Sequence, residues 1–344
     1  MTEKEKLRRD VEEFIENLRK EARPKNFCAS EPEELHLELT YECNQKCLFC
    51  DLPYKRDKKR EISFAEIKNF VCKSKCLRKI KRILLSGGEP WLRKDFLKIY
   101  AFLKKVFPGI SIGILTNFSN SYLILKNLQR MDGNVWLSTS IDGLDEKHDR
   151  VRGRKNAFSE LLFTYGLLRK KFPHIGISFT FTLFPENYDQ ILPVYQWAKK
   201  NRTSVGFQVM VQKKETKLFC WDREKIEKVD EQVNEIILDI YKQGDLDTSR
   251  LPFEVLNFVL IAKYVRDPKR FFPNCPCGTR FAMFDPFGNV YLCPVHKDKI
   301  IGNIRREKFD EIWFSQEAKK TREFFNQRVC HCWLCCTSAG MLCG

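Results

Sequence analysis

The sequence predicts an α/β protein, and two observations carry that expectation. Six strand-like apolar runs, at residues 35–40, 81–86, 110–117, 134–142, 175–183 and 203–210, alternate with segments of helical periodicity. Such alternation implies parallel βα units, hence an α/β barrel or an open doubly wound sheet. The later strands also pair an apolar face with a small, polar one. That second face is too slight to fill a closed barrel with the branched side chains usual there, which favours a barrel with a hollow interior.

A charged segment at about residues 3–21 reads as an N-terminal helix. In the first strand Leu35, Leu37 and Leu39 alternate with His36, Glu38 and Thr40. The polar set would face the interior, which makes Glu38 and Thr40 candidate lumen groups or a satisfied buried pair. Helices are expected near 63–77, 94–106, 119–130, 156–171 and 188–200. Strand four sets Val135, Leu137 and Ile141 against Ser138, Ser140 and Asp142. Strand five sets Ile177, Phe179, Phe181 and Leu183 against Ser178, Thr180 and Thr182, and strand six sets Val205, Phe207 and Val209 against Gly206, Gln208 and Met210. Residues 213–270 read as a helical linker, because Ile226, Val229, Val233, Ile237 and Ile240 keep a spacing of three or four and Gly244 is a natural stop. Further on, Phe281–Phe284 and Val290–Cys293 flank the turn Asp285-Pro-Phe-Gly-Asn289 as a hairpin would, and a last helix is expected at about 308–325. The expected division is an extension (1–33), a barrel (34–212), the linker (213–270) and a cysteine-rich C-terminal domain (271–344).

The 344 residues allow about two domains at roughly 150 each. No apolar stretch approaches the roughly 18 to 20 residues that cross a bilayer, and the mixed-charge N-terminus lacks the pattern of a secretory signal, so a cytoplasmic protein is expected. The net charge of +16 makes acidic or phosphate-bearing partners, nucleic acid included, plausible. The basic residues are spread without a recurring aromatic platform, as on solvated helix and loop faces. Fifteen cysteines are the unusual feature. An odd count in a reducing compartment points to metal or cluster ligation before disulfides. Cys28, Cys72, Cys76 and Cys220 lie apart from the two clusters and read as buried or incidental thiols.

The front group, Cys43-Asn-Gln-Lys-Cys47-Leu-Phe-Cys50, follows the first strand directly, where a loop would sit over the lumen. Three thiolates hold three irons of a [4Fe–4S] cluster and leave the fourth iron open to a chelating ligand. A zinc site completed by a fourth Cys or His is the alternative. Phe49 stands where it would shield a cluster or stack on a base. Strand two ends in Ser86-Gly-Gly-Glu-Pro90, strand three in Thr116-Asn117 and strand four in Ser140-Ile-Asp-Gly143, with Arg152-Gly153 beyond.

Taken together and in this order, these segments resemble the radical S-adenosylmethionine superfamily over about residues 35–210. The resemblance implies a partial (β/α)6 TIM-like barrel holding one [4Fe–4S] cluster on Cys43, Cys47 and Cys50, with S-adenosylmethionine on its open iron. It places Gly87, Gly88, Glu89 and Pro90 by the amino group of the cofactor's methionine portion, and Thr116 and Asn117 on its ribose side. Ser140 and Asp142 are implied as further contacts, as is Arg152, which matches an arginine often found after that strand. The implied activity is reductive cleavage of S-adenosylmethionine to a 5′-deoxyadenosyl radical that abstracts hydrogen from a C–H bond. A flavodoxin- or ferredoxin-type one-electron reductant is the implied partner.

At the back, Cys277, Gly288 and Cys293 match the opening C-x9–15-G-x4-C of the SPASM auxiliary-cluster domain. The tail Cys330-His-Cys332-Trp-Leu-Cys335-Cys336 is compressed relative to that domain's pattern, so the resemblance is to a shortened SPASM or twitch domain. It implies one auxiliary [4Fe–4S] cluster on Cys277, Cys293, Cys332 and Cys336, with Cys275, Cys330 and Cys335 as substitutes. A zinc site is the alternative here too. His296 and His331 are not expected to be ligands. By analogy the substrate is a peptide or protein side chain. The alternatives are a carbohydrate, lipid or nucleic-acid substrate for the same chemistry, or a non-catalytic, zinc-stabilised nucleic-acid-binding protein.

Overall fold

The structure is a computed structural model and describes residues 3–21, 30–211, 220–242, 253–272, 275, 277–327 and 330–334. After helix α1 (Glu3–Glu21), the alternating leucines fold as strand β1 (Glu34–Thr40). Beside it run β2 (Arg82–Gly87), β3 (Ser111–Leu115), β4 (Val135–Ser140), β5 (Gly176–Leu183) and β6 (Val205–Val209), each parallel to its neighbour. The intervening helices are α2 (Phe64–Lys73), α3 (Phe96–Val106), α4 (Ser121–Leu128), α5 (Asp145–Arg152), α6 (Ala157–Lys171) and α7 (Ile191–Lys200). All but α5 fall where helical periodicity places them. The segment that forms α5, DEKHDRVR, is almost wholly charged and shows no apolar stripe.

The arc of six strands does not close. On the far side of β1 the same sheet continues with β7 (Phe281–Phe284), parallel to β1, then with β8 (Asn289–Tyr291) and β9 (Gly302–Asn303), both antiparallel. The C-terminal hairpin is thus an extension of the barrel sheet. The single expected last helix is two, α10 (Phe309–Trp313) and α11 (Gln316–Asn326), because the Ser315 side chain accepts the Ala318 N–H at 3.1 Å and starts a new helix.

Two contacts fix which strand face is the lumen. Leu37 is paired with Phe284, whose ring lies 4.6 Å from Phe70 of α2, so the leucines face the helices. On the other face His36 meets Phe281 at 5.3 Å, together with Glu38 and the polar sides of β4 to β6. Trp136 shares this face near the base of the arc. It is paired with Gly113 on one side and Gly176 on the other, and a Cβ on Gly113 would come within 2.3 Å of the indole. The missing side chain of Gly113 makes room for the large ring, which lies against that glycine on the lumen face.

The linker region supplies α8 (Arg223–Lys242) and α9 (Phe253–Arg266). Asn257 of α9 donates to the Phe207 carbonyl at 3.0 Å, and Phe258 packs on Phe207 at 4.8 Å, so these helices cover the β6 edge. Arg8 of α1 binds Asp230 and Asn234 of α8 at 2.9 and 3.0 Å. The tail reaches the same edge. Val209 N–H donates to the Trp333 carbonyl at 2.9 Å, and the Trp333 indole N–H donates to Asn257 at 2.8 Å. The C-terminal region therefore touches both edges of the open arc. Among the described residues no helix is long and apolar enough to cross a membrane.

Candidate active site

The loop 43–50 leaves β1 at Thr40 and is held from three directions. From β2, Gly88 N–H donates to the Thr40 carbonyl at 2.7 Å and Glu89 N–H to the Glu42 carbonyl at 2.8 Å. A Cβ on Gly87 would lie 2.2 Å from the Thr40 oxygen, and one on Gly88 would lie 2.2 Å from the Glu42 oxygen. The glycines are therefore required by the approach of the cysteine loop itself. From β3, Asn117 donates to Asn44 at 2.7 Å and toward Cys43 Sγ at 3.8 Å, while Asn44 donates to Ser119 at 2.8 Å. From α5, the carbonyls of Arg152 and Val151 accept the Lys46 and Leu48 N–H groups at 3.1 and 2.9 Å. Gly153, in the left-handed region at φ 58°, ends α5 against Lys46, whose carbonyl a Cβ there would meet at 2.2 Å.

The three thiols sit close enough to interact electrostatically. Burial pushes Cys43 up to about 11 and raises Cys50. Behind them is a buried polar set. The Glu89 carboxylate accepts the Asn117 N–H at 2.8 Å, and its other oxygen is buried with no hydrogen-bond partner among the described residues. Burial raises it to about 7. Asp142, fully buried, accepts the Thr182 N–H at 3.0 Å and pairs with Arg152 at 2.5 Å. Arg152 also donates to Cys47 Sγ at 3.6 Å. His148 Nδ1 accepts the Asp142 N–H at 3.2 Å, and burial, then Arg152, keeps the ring neutral by lowering its pKa well below the usual value. Phe49 meets Phe184 edge-on at 5.4 Å beside Val151 and Met210, an apolar wall at the lumen mouth. Thr116 and Pro90 are buried beside Glu89, and Ser140 faces the lumen.

At the back, Cys275, Cys277, Cys293, Cys330 and Cys332 line one small cavity with Arg270, His296 and His331. Three of the four expected ligands, Cys277, Cys293 and Cys332, come together there with two of the substitutes. Cys335 and Cys336, like Cys28, lie outside the described residues. Cys277 sits between Cys275 and Cys293, and hydrogen bonding to both raises its thiol. His331 is engaged with the Tyr264 hydroxyl at 2.8 Å. Cys76 is buried, while Cys72 and Cys220 are exposed.

A family model described as the Radical SAM superfamily matches residues 37–198. Residues 37–198 are thus a radical SAM domain. A second model, SPASM, described as an iron-sulfur cluster-binding domain, matches residues 275–336. The chain is similar to the sporulation killing factor maturation protein SkfB of Bacillus subtilis (strain 168), 29% identical over 167 residues, which are 46% of this chain and 38% of SkfB. It is also similar to the probable GTP 3′,8-cyclase of Pyrococcus horikoshii, 31% identical over 128 residues, 37% of this chain and 40% of that one. The chain thus spans 40% or less of the length of these two relatives. Among solved structures, Streptococcus suis SuiB bound to its precursor peptide SuiA superposes with a TM-score of 0.64 at 14% identity, covering 92% of this chain and 70% of SuiB. Native anSMEcpe with bound AdoMet and Kp18Cys peptide gives 0.63 at 16% identity, covering 86% and 84%. At these identities the likeness is one of fold.

A radical SAM domain takes a [4Fe–4S] cluster and S-adenosylmethionine, and a SPASM domain takes auxiliary iron–sulfur chemistry. The residues of this chain fit both. The front offers three thiols on one loop, an unpartnered buried carboxylate oxygen on Glu89 suited to an ammonium group, and an unpartnered buried Arg152 Nε. The back offers five thiols around one cavity. Among the described residues no three His, Cys, Asp or Glu side chains converge as a single metal ion requires.

His148, Asn44 and Ser119 escaped the sequence reading. The first lies on the helix that shows no periodicity. The other two are short polar residues whose partners are remote in sequence.

Proposed function

We propose that this radical SAM enzyme is a cytoplasmic maturase that abstracts hydrogen from a C–H bond of a peptide or protein side chain. The observation that carries the reading is the lumen lining. Ser138, Ser140, Ser178, Thr180, Thr182 and Gln208 offer hydroxyls and an amide, with Gln208 donating to Thr182 at 2.9 Å. Among the described residues, Glu38 on the same face is paired with Lys297, and Glu34 with Arg280 at 2.7 Å. A lining of uncharged donors and acceptors suits backbone amides. A phosphate-bearing substrate would call for unpaired cations. SuiB with its precursor peptide and anSMEcpe with its peptides share the fold, and SkfB is named for maturation, which supports the same class.

When bound, the cluster and S-adenosylmethionine supply the one-electron chemistry that removes a hydrogen atom. The chain's own residues do the rest. The backbone bonds from β2 and α5 keep the cysteine loop over the lumen. Phe49, Phe184, Val151 and Met210 keep water from its mouth. The hydroxyl face orients the substrate.

The test uses anaerobically purified, reconstituted protein with strong reductant, S-adenosylmethionine and a library of peptides deuterated at side-chain carbons. Deuterium is expected in the 5′-deoxyadenosine formed. Deuterium arriving from labelled sugars or nucleosides, and never from peptides, would overturn the peptide assignment. Protein carrying zinc and no iron would overturn the enzyme itself.

A further inference from the structure

We infer that Arg152 is a positioning residue for the front cluster, oriented by Asp142 to hydrogen-bond the Cys47 sulfur and thereby to set how easily that cluster is reduced. The inference rests on Cys43, Cys47 and Cys50 being cluster ligands, and it assigns Arg152 a task besides a cofactor contact.

The geometry separates the two arms of the guanidinium. Nη2 lies 2.5 Å from Asp142 Oδ2, and Nη1 lies 3.6 Å from Cys47 Sγ. The Arg152 side chain is 10% exposed and that of Asp142 is fully buried, so neither charge is screened by water. A buried ion pair by itself contributes little net stability, because desolvation offsets most of the attraction. Stability alone therefore does not account for an arginine placed here, and the second arm does. A guanidinium keeps its charge at any working pH, so this side chain stays a cation. Asp142 is fixed in turn by the Thr182 N–H at 3.0 Å. The pair points its positive end at the cysteine loop, and the Arg152 main-chain carbonyl holds the Lys46 N–H of the same loop at 3.1 Å. Hydrogen bonds to ligand sulfurs and nearby positive charge favour the more negative, reduced state of a cluster.

The experiment is an EPR-monitored redox titration of the reconstituted full chain without S-adenosylmethionine. The front signal is identified as the one missing from the Cys43→Ala/Cys47→Ala/Cys50→Ala variant. In Arg152→Gln the reduced-to-oxidised ratio of that signal at fixed potential should fall about tenfold, about 59 mV for one electron. Arg152→Lys should recover part of the shift, since lysine keeps the charge without the fork. Asp142→Asn, which leaves every group touching Cys47 in place but removes the anchor of the guanidinium and a buried negative charge, should move the midpoint as well. An unchanged midpoint in Arg152→Gln overturns the inference even if cofactor affinity drops. If Arg152→Gln does not hold the front cluster, an unchanged midpoint in both Asp142→Asn and Arg152→Lys overturns it. A wild-type chain without the front signal overturns the ligand assignment itself, which is a separate result.

Discussion

The two cysteine sites are built on opposite plans. At the front, three thiols lie within eight consecutive residues on a loop, partly exposed, and bonds from the segments after β2 and β3 and from α5 tie that loop to the scaffold. At the back, thiols from three separated segments line one cavity, and Cys277 and Cys293 belong to the hydrophobic core, 1% and 6% exposed. The difference teaches where ligation and folding are separable. A loop carried by a finished scaffold can lose its ligands and leave the scaffold standing, whereas thiols that are also core atoms cannot.

The sharpest way to break that contrast is to remove each set in turn. Cys43→Ala/Cys47→Ala/Cys50→Ala should lose about four irons per chain and all 5′-deoxyadenosine formation while keeping the wild-type melting temperature within a few degrees. Cys277→Ala/Cys293→Ala should lose the auxiliary iron and also melt earlier. Iron analysis beside calorimetry checks both. Equal thermal losses in the two variants would erase the distinction.

Next in size is Trp333→Ala. The indole is 1% exposed and ties the tail to the β6 edge through Val209 and Asn257. Truncation should cost about 3–5 kcal/mol, and it should raise hydrogen exchange at Val209 and lower auxiliary iron before front iron. Equal loss of both irons would mean that the tail serves the whole fold and not the back site in particular.

What was legible in the sequence follows the same division. The front triad is local, so spacing alone exposes it, and the alternation of apolar and polar residues on β4 to β6 exposes the lumen face. The hairpin around Asp285-Pro-Phe-Gly-Asn289 is also local. Its attachment to β1 in parallel, and the meeting of Cys275 and Cys330 with Cys277, depend on contacts across the chain that no short window contains. The sequence motif around Gly87 and Gly88 is visible, yet the reason for both glycines, the carbonyls of Thr40 and Glu42, is not. Helix α5 was hidden because two of its three buried residues, His148 and Arg152, are polar.

The sites should also differ in pH response. The front holds Glu89 fully buried at about 7, raised by burial from its ordinary 4.5, whereas among the described residues the back cavity is lined by Arg270, two histidines and no carboxylate. Between pH 4.5 and 7 the native chain binds a proton that the unfolded chain has released, so this residue's contribution to stability falls as pH rises through that window. Glu89→Gln removes the penalty. Its stability should equal that of wild type near pH 4.5 and exceed it above pH 7 by an amount on the order of 3 kcal/mol at most, read by denaturant titration at each pH. A pH-independent difference would mean that Glu89 is ionised throughout.

The smallest expected effect tests the exposed link between the two regions. Arg305, beyond β9, donates to the Arg60 and Glu61 carbonyls at 2.8 and 3.2 Å and to Glu66 at 2.6 Å, and Glu61 in turn accepts from Thr40 and the Tyr41 N–H at the root of the cysteine loop. Hydrogen bonding to Arg305 holds the Glu66 carboxyl down at about 2. A lowered carboxylate stabilises above its unfolded value of 4.5, and that gain is lost as pH falls from 4.5 toward 2. Both side chains are about one-third exposed, so solvent screening keeps the pair to roughly 1 kcal/mol or less. Arg305→Ala should cost about that much near pH 7, and a double-mutant cycle with Glu66→Gln should show the coupling shrinking below pH 4. A much larger loss, accompanied by loss of front iron, would mean that the back region actively holds the cysteine loop and that the two sites are one mechanical unit.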